Sequence, residues 1–184
     1  RDYKVTGVQT CALPISYIKG LQDAVRRLSI PKPLPTFFTF LGSGPYYGLA
    51  LEAARKTREL VATNAEAQHT LEYRHASYSG LSKENLVICW LSDTMRKAEL
   101  DVMGGLNRQK CVRCCVLESI DDAAKLRVDQ LIEIRSKVSE ITRLLVMYPV
   151  LHLFAFYMSI AKGKNADKLY HLDPGIPIKD KPGV

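Results

Sequence analysis

At 184 residues the chain has room for one domain of ordinary size and not for two. Hydrophobic residues make up 47% and charged residues 24%, which excludes a disordered chain and supplies a real core. The formal net charge of +7 comes from scattered Lys and Arg with no basic run flanked by stacking aromatics. No nucleic-acid partner is therefore expected, and the basic surface suits an anionic small molecule.

Val5 to Ile15 reads as the in-frame translation of a common sequencing adapter, with Arg1-Asp2 fitting its upstream part and Tyr3-Lys4 its index. Residues 1–15 are expected to be a non-native leader outside the fold, with coding sequence continuing upstream. Residues 16–36 read as a linker. Ile18, Leu21, Ala24 and Leu28 fall at helical spacing, and Pro31, Pro33 and Pro35 then stiffen and break the chain. Phe37 to Leu41 is a short apolar run that suits a buried strand, followed by the turn Gly42-Ser43-Gly44-Pro45 and a helix from Tyr46 to Ala62. Leu86 to Leu91 is a second such strand, with Ser92-Asp93 capping a helix from Thr94 to about Leu106. Cys111 to Leu117 and Gln130 to Ile134 complete the set, although Arg113 is unusual inside a strand. Strands alternating with helices predict an α/β fold: three layers, with a parallel sheet of four or five strands covered on both faces. Leu144 to Ala161 is almost wholly apolar. Its length approaches a membrane span, but Pro149 and His152 interrupt it, so it is expected to be a helix starting near Pro149, buried in the core or at a dimer contact.

Few residues suggest chemistry on their own. Gly42, Ser43 and Gly44 lie between a strand and a helix, where backbone N–H groups can hold an anion, yet a tight turn needing glycine explains them equally well. Glu59 reads as a solvated helix residue, and Glu72 to His75 as a polar loop or helix. The Glu72-x-x-His75 spacing can bind metal, but the di-iron pattern needs a second copy and two more glutamates. Cys111-x-x-Cys114-Cys115 lacks a second ligand pair, and strand positions three apart face opposite sides. Core thiols in a reducing compartment, the cytoplasm, are the better reading, and neither metal nor cofactor is expected.

Taken together, several segments resemble a known family. Phe40 to Gly44, ALEAARKTRE over residues 50–59, AEAQHTLEYRH over 65–75 and KGKNADK over 162–168 resemble the second sugar isomerase (SIS) domain of glucosamine-fructose-6-phosphate aminotransferases. They are still more similar to the tagatose-6-phosphate ketose/aldose isomerase-like proteins and fructosamine deglycases. The resemblance covers residues 37–172 and leaves 173–184 as a tail. It implies the SIS fold, a flavodoxin-like arrangement, and a phosphosugar or amino-sugar phosphate as ligand. It implies a ketose/aldose-phosphate isomerase or a deaminase/deglycase. Glu59 would move a proton between C1 and C2 of the open-chain sugar. His75 would assist ring opening, acting in the neighbouring subunit's site of a homodimer. Gly42, Ser43 and Gly44 would contact substrate, and a cleft at the strand ends is expected to be bordered by Gly42 to Pro45, Glu59 and the tail.

The chain also departs from the family. Ala76-Ser77 stands where the family has Gly-Pro after the histidine. No tail lysine aligns, although Lys179 and Lys181 are nearby. The Ser/Thr-rich phosphate loop belongs to the family's first SIS domain, which precedes the part seen here, so the fragment is expected to be inactive alone. The competing reading is a non-catalytic sugar-phosphate-sensing SIS domain of a regulator, which would not need both Glu59 and His75.

Overall fold

The computed structural model describes residues 17–28 and 33–167. The leader 1–15 and the tail 173–184 lie outside them, as does Lys168 of the KGKNADK segment. Helix α1 (17–28) is followed by β1 (Phe37–Gly42), α2 (Tyr46–Lys56, continued by a π-helical turn Thr57–Val61) and β2 (Asn64–His69). Then come α3 (Thr70–Tyr73), β3 (Asn85–Trp90), α4 (Arg96–Gly105) and β4 (Val112–Leu117). The last elements are α5 (Asp122–Lys125), β5 (Gln130–Glu133) and α6 (Glu140–Ala161).

The five strands form one sheet in the order β2-β1-β3-β4-β5, every pair parallel. This is the three-layer α/β fold that the alternation predicts. Side chains alternate across a strand, so each apolar run feeds two cores. Phe38, Phe40, Ile88, Trp90 and Val116 point to the face covered by α1, α2 and α6. Leu41, Val87, Cys89, Cys115 and Leu117 point to the face covered by α3 and α4. Phe154 of α6 locks the first core edge-on against Phe38 and Phe40, at ring-centroid distances of 5.8 Å in both cases. Cys114 packs in one core and Cys111 and Cys115 in the other, so the three thiols do not converge.

Two elements depart from the sequence reading. Strand β2 was not expected, because Asn64 to His69 carries none of the β-branched and aromatic residues that mark strands. It is an edge strand held by its register on β1, from Phe37 opposite Asn64 to Gly42 opposite His69, with Ala65 and Ala67 turned to the core. Helix α6 starts at Glu140, nine residues before Pro149. Ser139 caps it by accepting a hydrogen bond from the Thr142 N–H. Pro149 sits inside the helix and frees the carbonyl of Leu145, a residue on the solvent side. Nor is α6 buried all round. Met147, Val150, Leu151, Phe154 and Met158 enter the core, while Ile141, Leu145, Tyr148, Phe156 and Ile160 form an exposed stripe. By length and composition alone α6 could cross a membrane. Arg113 is explained by its donors. It bonds both carboxylate oxygens of Asp129 and the carbonyls of Met103 and Arg127.

Candidate functional site

The chain leaves β1 toward β2 on one side and returns to β3 on the other, which opens a crevice between the C-terminal ends of β1 and β3. The turn Gly42-Ser43-Gly44 forms one lip. A Cβ on Gly42 would stand 2.3 Å from the carbonyl oxygen of Tyr46, so only glycine lets α2 start this close to the strand. Gly44 takes a positive φ of 53°. The N–H groups of Tyr46, Tyr47 and Gly48 donate to the carbonyls of Ser43, Gly44 and Pro45, each at 3.1 Å. The first turn of α2 therefore spends its amides locally.

The crevice holds about 270 Å³ and is lined by Ser43, Tyr46, Ser92, Thr94, Met95 and Glu140, among others. No Lys or Arg is among its described lining residues. Glu99 of α4 lies fully buried beneath it and accepts from the Ser92 N–H at 2.8 Å and the Ser92 hydroxyl at 3.1 Å. Burial raises the Glu99 pKa, against the nearby Ser43 hydroxyl and the Ser92 donors that lower it. The Ser43 hydroxyl is near enough to act on Glu99, yet neither Ser43 Oγ nor Glu99 Oε1 has a partner at hydrogen-bond geometry. Glu140, the first residue of α6, accepts from the Asp93 N–H at 2.8 Å and the Thr94 hydroxyl at 3.0 Å. Tyr46 is buried, which pushes its phenol up to about 12. Arg143 pairs with Asp93 at 2.8 Å and Glu118 at 3.0 Å.

Glu59 is elsewhere. It lies thirteen residues after Tyr46 on the same helical stretch, so the rise of a helix puts it about 20 Å from the glycine turn, toward the N-terminal edge of the sheet. The expected single cleft bordered by Gly42 to Pro45 and Glu59 is therefore not formed within one chain. A helix that packs antiparallel to its strand must carry its two ends to opposite edges of the sheet. The Glu59 carboxylate is a quarter exposed and is gripped by Lys56 Nζ at 2.7 Å and Arg55 Nε at 2.8 Å. These bonds, Lys56 first, hold its pKa below the usual carboxylate value. Lys56 also faces Glu52 at 3.8 Å, and Glu52 accepts from the Tyr148 hydroxyl of α6.

His75 follows α3, beyond the C-terminal end of β2, and is exposed. Its Nε2 accepts from Arg74 Nε at 3.2 Å. The length of β2, about 17 Å at strand rise, separates the end that Glu59 approaches from the end that His75 leaves. Ala76, where the family has glycine, takes a positive φ of 70°. A glycine there would carry no Cβ strain. Sequence reading missed Glu99 and Glu140 as crevice residues. Both look like ordinary helix carboxylates, and Glu140 reaches the crevice only through contacts 47 residues away.

No family model matches the chain. Among curated proteins it is 26% identical over 160 residues to the isomerizing glutamine–fructose-6-phosphate aminotransferase of Clostridium perfringens, covering 85% of this chain and 26% of that protein. The chain thus spans about a quarter of the length of the curated relatives it matches. Among solved structures, a putative tagatose-6-phosphate ketose/aldose isomerase from Clostridium novyi superposes with a TM-score of 0.76 at 20% identity, covering 97% of this chain and 51% of that one. The C-terminal domain of glucosamine-fructose-6-phosphate aminotransferase from Francisella tularensis gives 0.72 at 23%, covering 85% and 44%. In sequence the chain is similar to part of the isomerizing glutamine–fructose-6-phosphate aminotransferases, and its fold is the one seen in these ketose/aldose isomerase and aminotransferase-domain structures.

Proposed function

We propose that the chain is the isomerase-type SIS domain of a phosphosugar enzyme and lends Glu59 to a site completed by another SIS domain or subunit. The observation that carries this reading is the position of Glu59. It is held ionised at the surface, at the far end of α2 from the chain's own crevice. A carboxylate there can face a sugar held by a neighbour. Its chemistry would be the transfer of a carbon-bound proton from C1 of an open-chain ketose phosphate to C2 by way of an enediol, while the O1 hydroxyl proton passes to O2. The Lys56 ammonium beside it suits charge that develops on the enediol oxygens. Arg55, the more exposed partner, must swing away for Glu59 to accept a proton, and its departure raises the basicity of Glu59 toward that of an ordinary carboxylate. His75 would donate a proton to the ring oxygen of the closed sugar in a partner's site. Gly42, Ser43 and Gly44 would face a ligand in the separate crevice. The exposed stripe of α6 supports a homodimer or a second SIS domain as its cover.

The test is proton exchange. The chain joined to an N-terminal SIS domain is incubated with fructose 6-phosphate or glucosamine 6-phosphate in D2O, and deuterium at C1 and C2 is followed by NMR. Exchange that Glu59→Gln abolishes supports the reading. Sugar-phosphate binding with no exchange, and indifferent to Glu59→Gln, would replace it with a sensing domain.

A further inference from the structure

A second cavity lies in the α3 and α4 layer and shares no lining residue with the strand-end crevice. It holds about 730 Å³, the size of a small-molecule site. Leu71, Arg74 and Tyr78 line one side, and α4 with the 3-10 turn Leu106–Gln109 lines the other. Two arginines on its walls have no counter-charge. The Arg108 guanidinium meets no carboxylate among the described residues, and Arg74 uses only its Nε, on His75. By contrast Arg55, Arg96, Arg113, Arg127, Arg135 and Arg143 each pair with a carboxylate. Asp101, the one acid among the described lining residues, is already held by Arg127.

The helix wall adds an independent sign. Gly104 and Gly105 close α4, yet neither has a positive φ, and Gly105 is ordinarily helical at φ −61°. A Cβ on Gly105 would meet nothing within 4 Å. One on Gly104 would meet only the Arg127 side chain, from 3.5 Å, an ordinary contact. Neither backbone geometry nor packing asks for glycine here, although glycine is among the least favourable residues in a helix. What the missing side chains preserve is bare backbone along the cavity, where a flat group can lie close. Leu71, Tyr78 and Leu106 supply apolar surface on the remaining walls.

We infer that this cavity binds a phosphate monoester carried on a flat apolar body, the chemistry of a nucleoside monophosphate. A monoester carries nearly two negative charges near neutral pH, which matches two unanswered guanidiniums, and the guanidinium fork suits phosphate oxygens. The body lies against Gly104 and Gly105. A neutral ligand would leave both arginines unanswered, and a bare phosphate would leave the apolar walls uncovered. This does not depend on the role of Glu59, because the readout is binding and not catalysis.

The probe is AMP, against adenosine and inorganic phosphate, titrated calorimetrically into the 184-residue chain. AMP binds at least about tenfold more tightly than either fragment. Arg74→Gln and Arg108→Gln each weaken it about tenfold, the loss expected for a charge-assisted hydrogen bond. Both leave Tm in place, because both side chains are exposed. Gly105→Leu fills the cavity and abolishes binding, while Tm holds or rises because leucine is the better helix former and its Cβ meets no clash. AMP that binds no better than inorganic phosphate overturns the inference. So does AMP binding that survives the loss of both arginines, or a folded Gly105→Leu that still takes AMP. Should Gly105→Leu not fold, the Gly105 amide resonance of the wild type decides: AMP moves it and inorganic phosphate does not. A resonance that AMP leaves in place, or that both move alike, overturns the inference.

Discussion

The strand-end crevice and the far end of α2 both carry carboxylates, but they treat them in opposite ways. In the crevice, Glu99 is fully buried with its pKa raised, and Glu140 is bound by loop donors. At the far end, Glu59 is reachable from solvent and held ionised by Lys56 and Arg55. Burial with neutral hydroxyl partners makes a carboxyl part of the scaffold. A surface position between cations keeps one charged and available. On the proposed reading Glu99 and Glu140 serve the crevice as structure and the end of α2 is the place for proton transfer, the reverse of what strand-end geometry alone suggests.

Substitutions should separate the two regions by their effect on stability. The largest effect is at the crevice lip. Gly42→Ala forces a Cβ into the Tyr46 carbonyl and should cost about 3 kcal/mol in urea unfolding, because backbone cannot step aside as a flexible side chain can. A cost under about 1 kcal/mol would mean that α2 is free to move and the lip is not rigid. Next is the loop after His75. Ala76→Gly relieves a positive φ of 70° and should stabilise the fold by about 1 kcal/mol, measured the same way.

Glu99→Gln should fall within about 1 kcal/mol of the wild type, since an amide keeps an acceptor for Ser92. Its signature is in pH. Burial puts the folded pKa of Glu99 above the unfolded one, so the folded state binds the extra proton and stability falls as pH rises between the two values. Glu99→Gln should flatten that fall in Tm against pH. An unchanged profile would show that Glu99 is ionised at no cost. Smallest is Glu59→Gln, expected to change stability by no more than about 0.5 kcal/mol, as for a solvent-exposed ion pair. A large loss there would make Glu59 scaffold and remove the contrast between the regions.

The apolar runs Phe37 to Leu41 and Leu86 to Leu91 made β1 and β3 legible, and with them the parallel sheet and the crevice position. Strand β2 was hidden because an edge strand can be polar and still pair through its backbone. The start of α6 was hidden because Pro149 looks like a beginning, whereas Ser139 supplies the cap. Glu59 and His75 are candidates through the Ala50 to His75 pattern and not from their own chemistry. Their separation follows from topology, since α2 and β2 each carry the chain across the full height of the sheet. Glu140 left no local signal at all, because its partners Asp93 and Thr94 meet it only in the fold.

The central claim is that Glu59 serves a site shared between subunits or domains, with His75 supplied from elsewhere than its own chain's Glu59. The direct measurement mixes Glu59→Gln with His75→Asn in the chain joined to an N-terminal SIS domain, allows subunits to exchange, and follows isomerisation of fructose 6-phosphate. Each variant alone should be inactive or nearly so. The mixture should regain part of the wild-type rate, because some mixed sites receive an intact Glu59 and an intact His75. No recovery after exchange has been verified by mass would contradict the account.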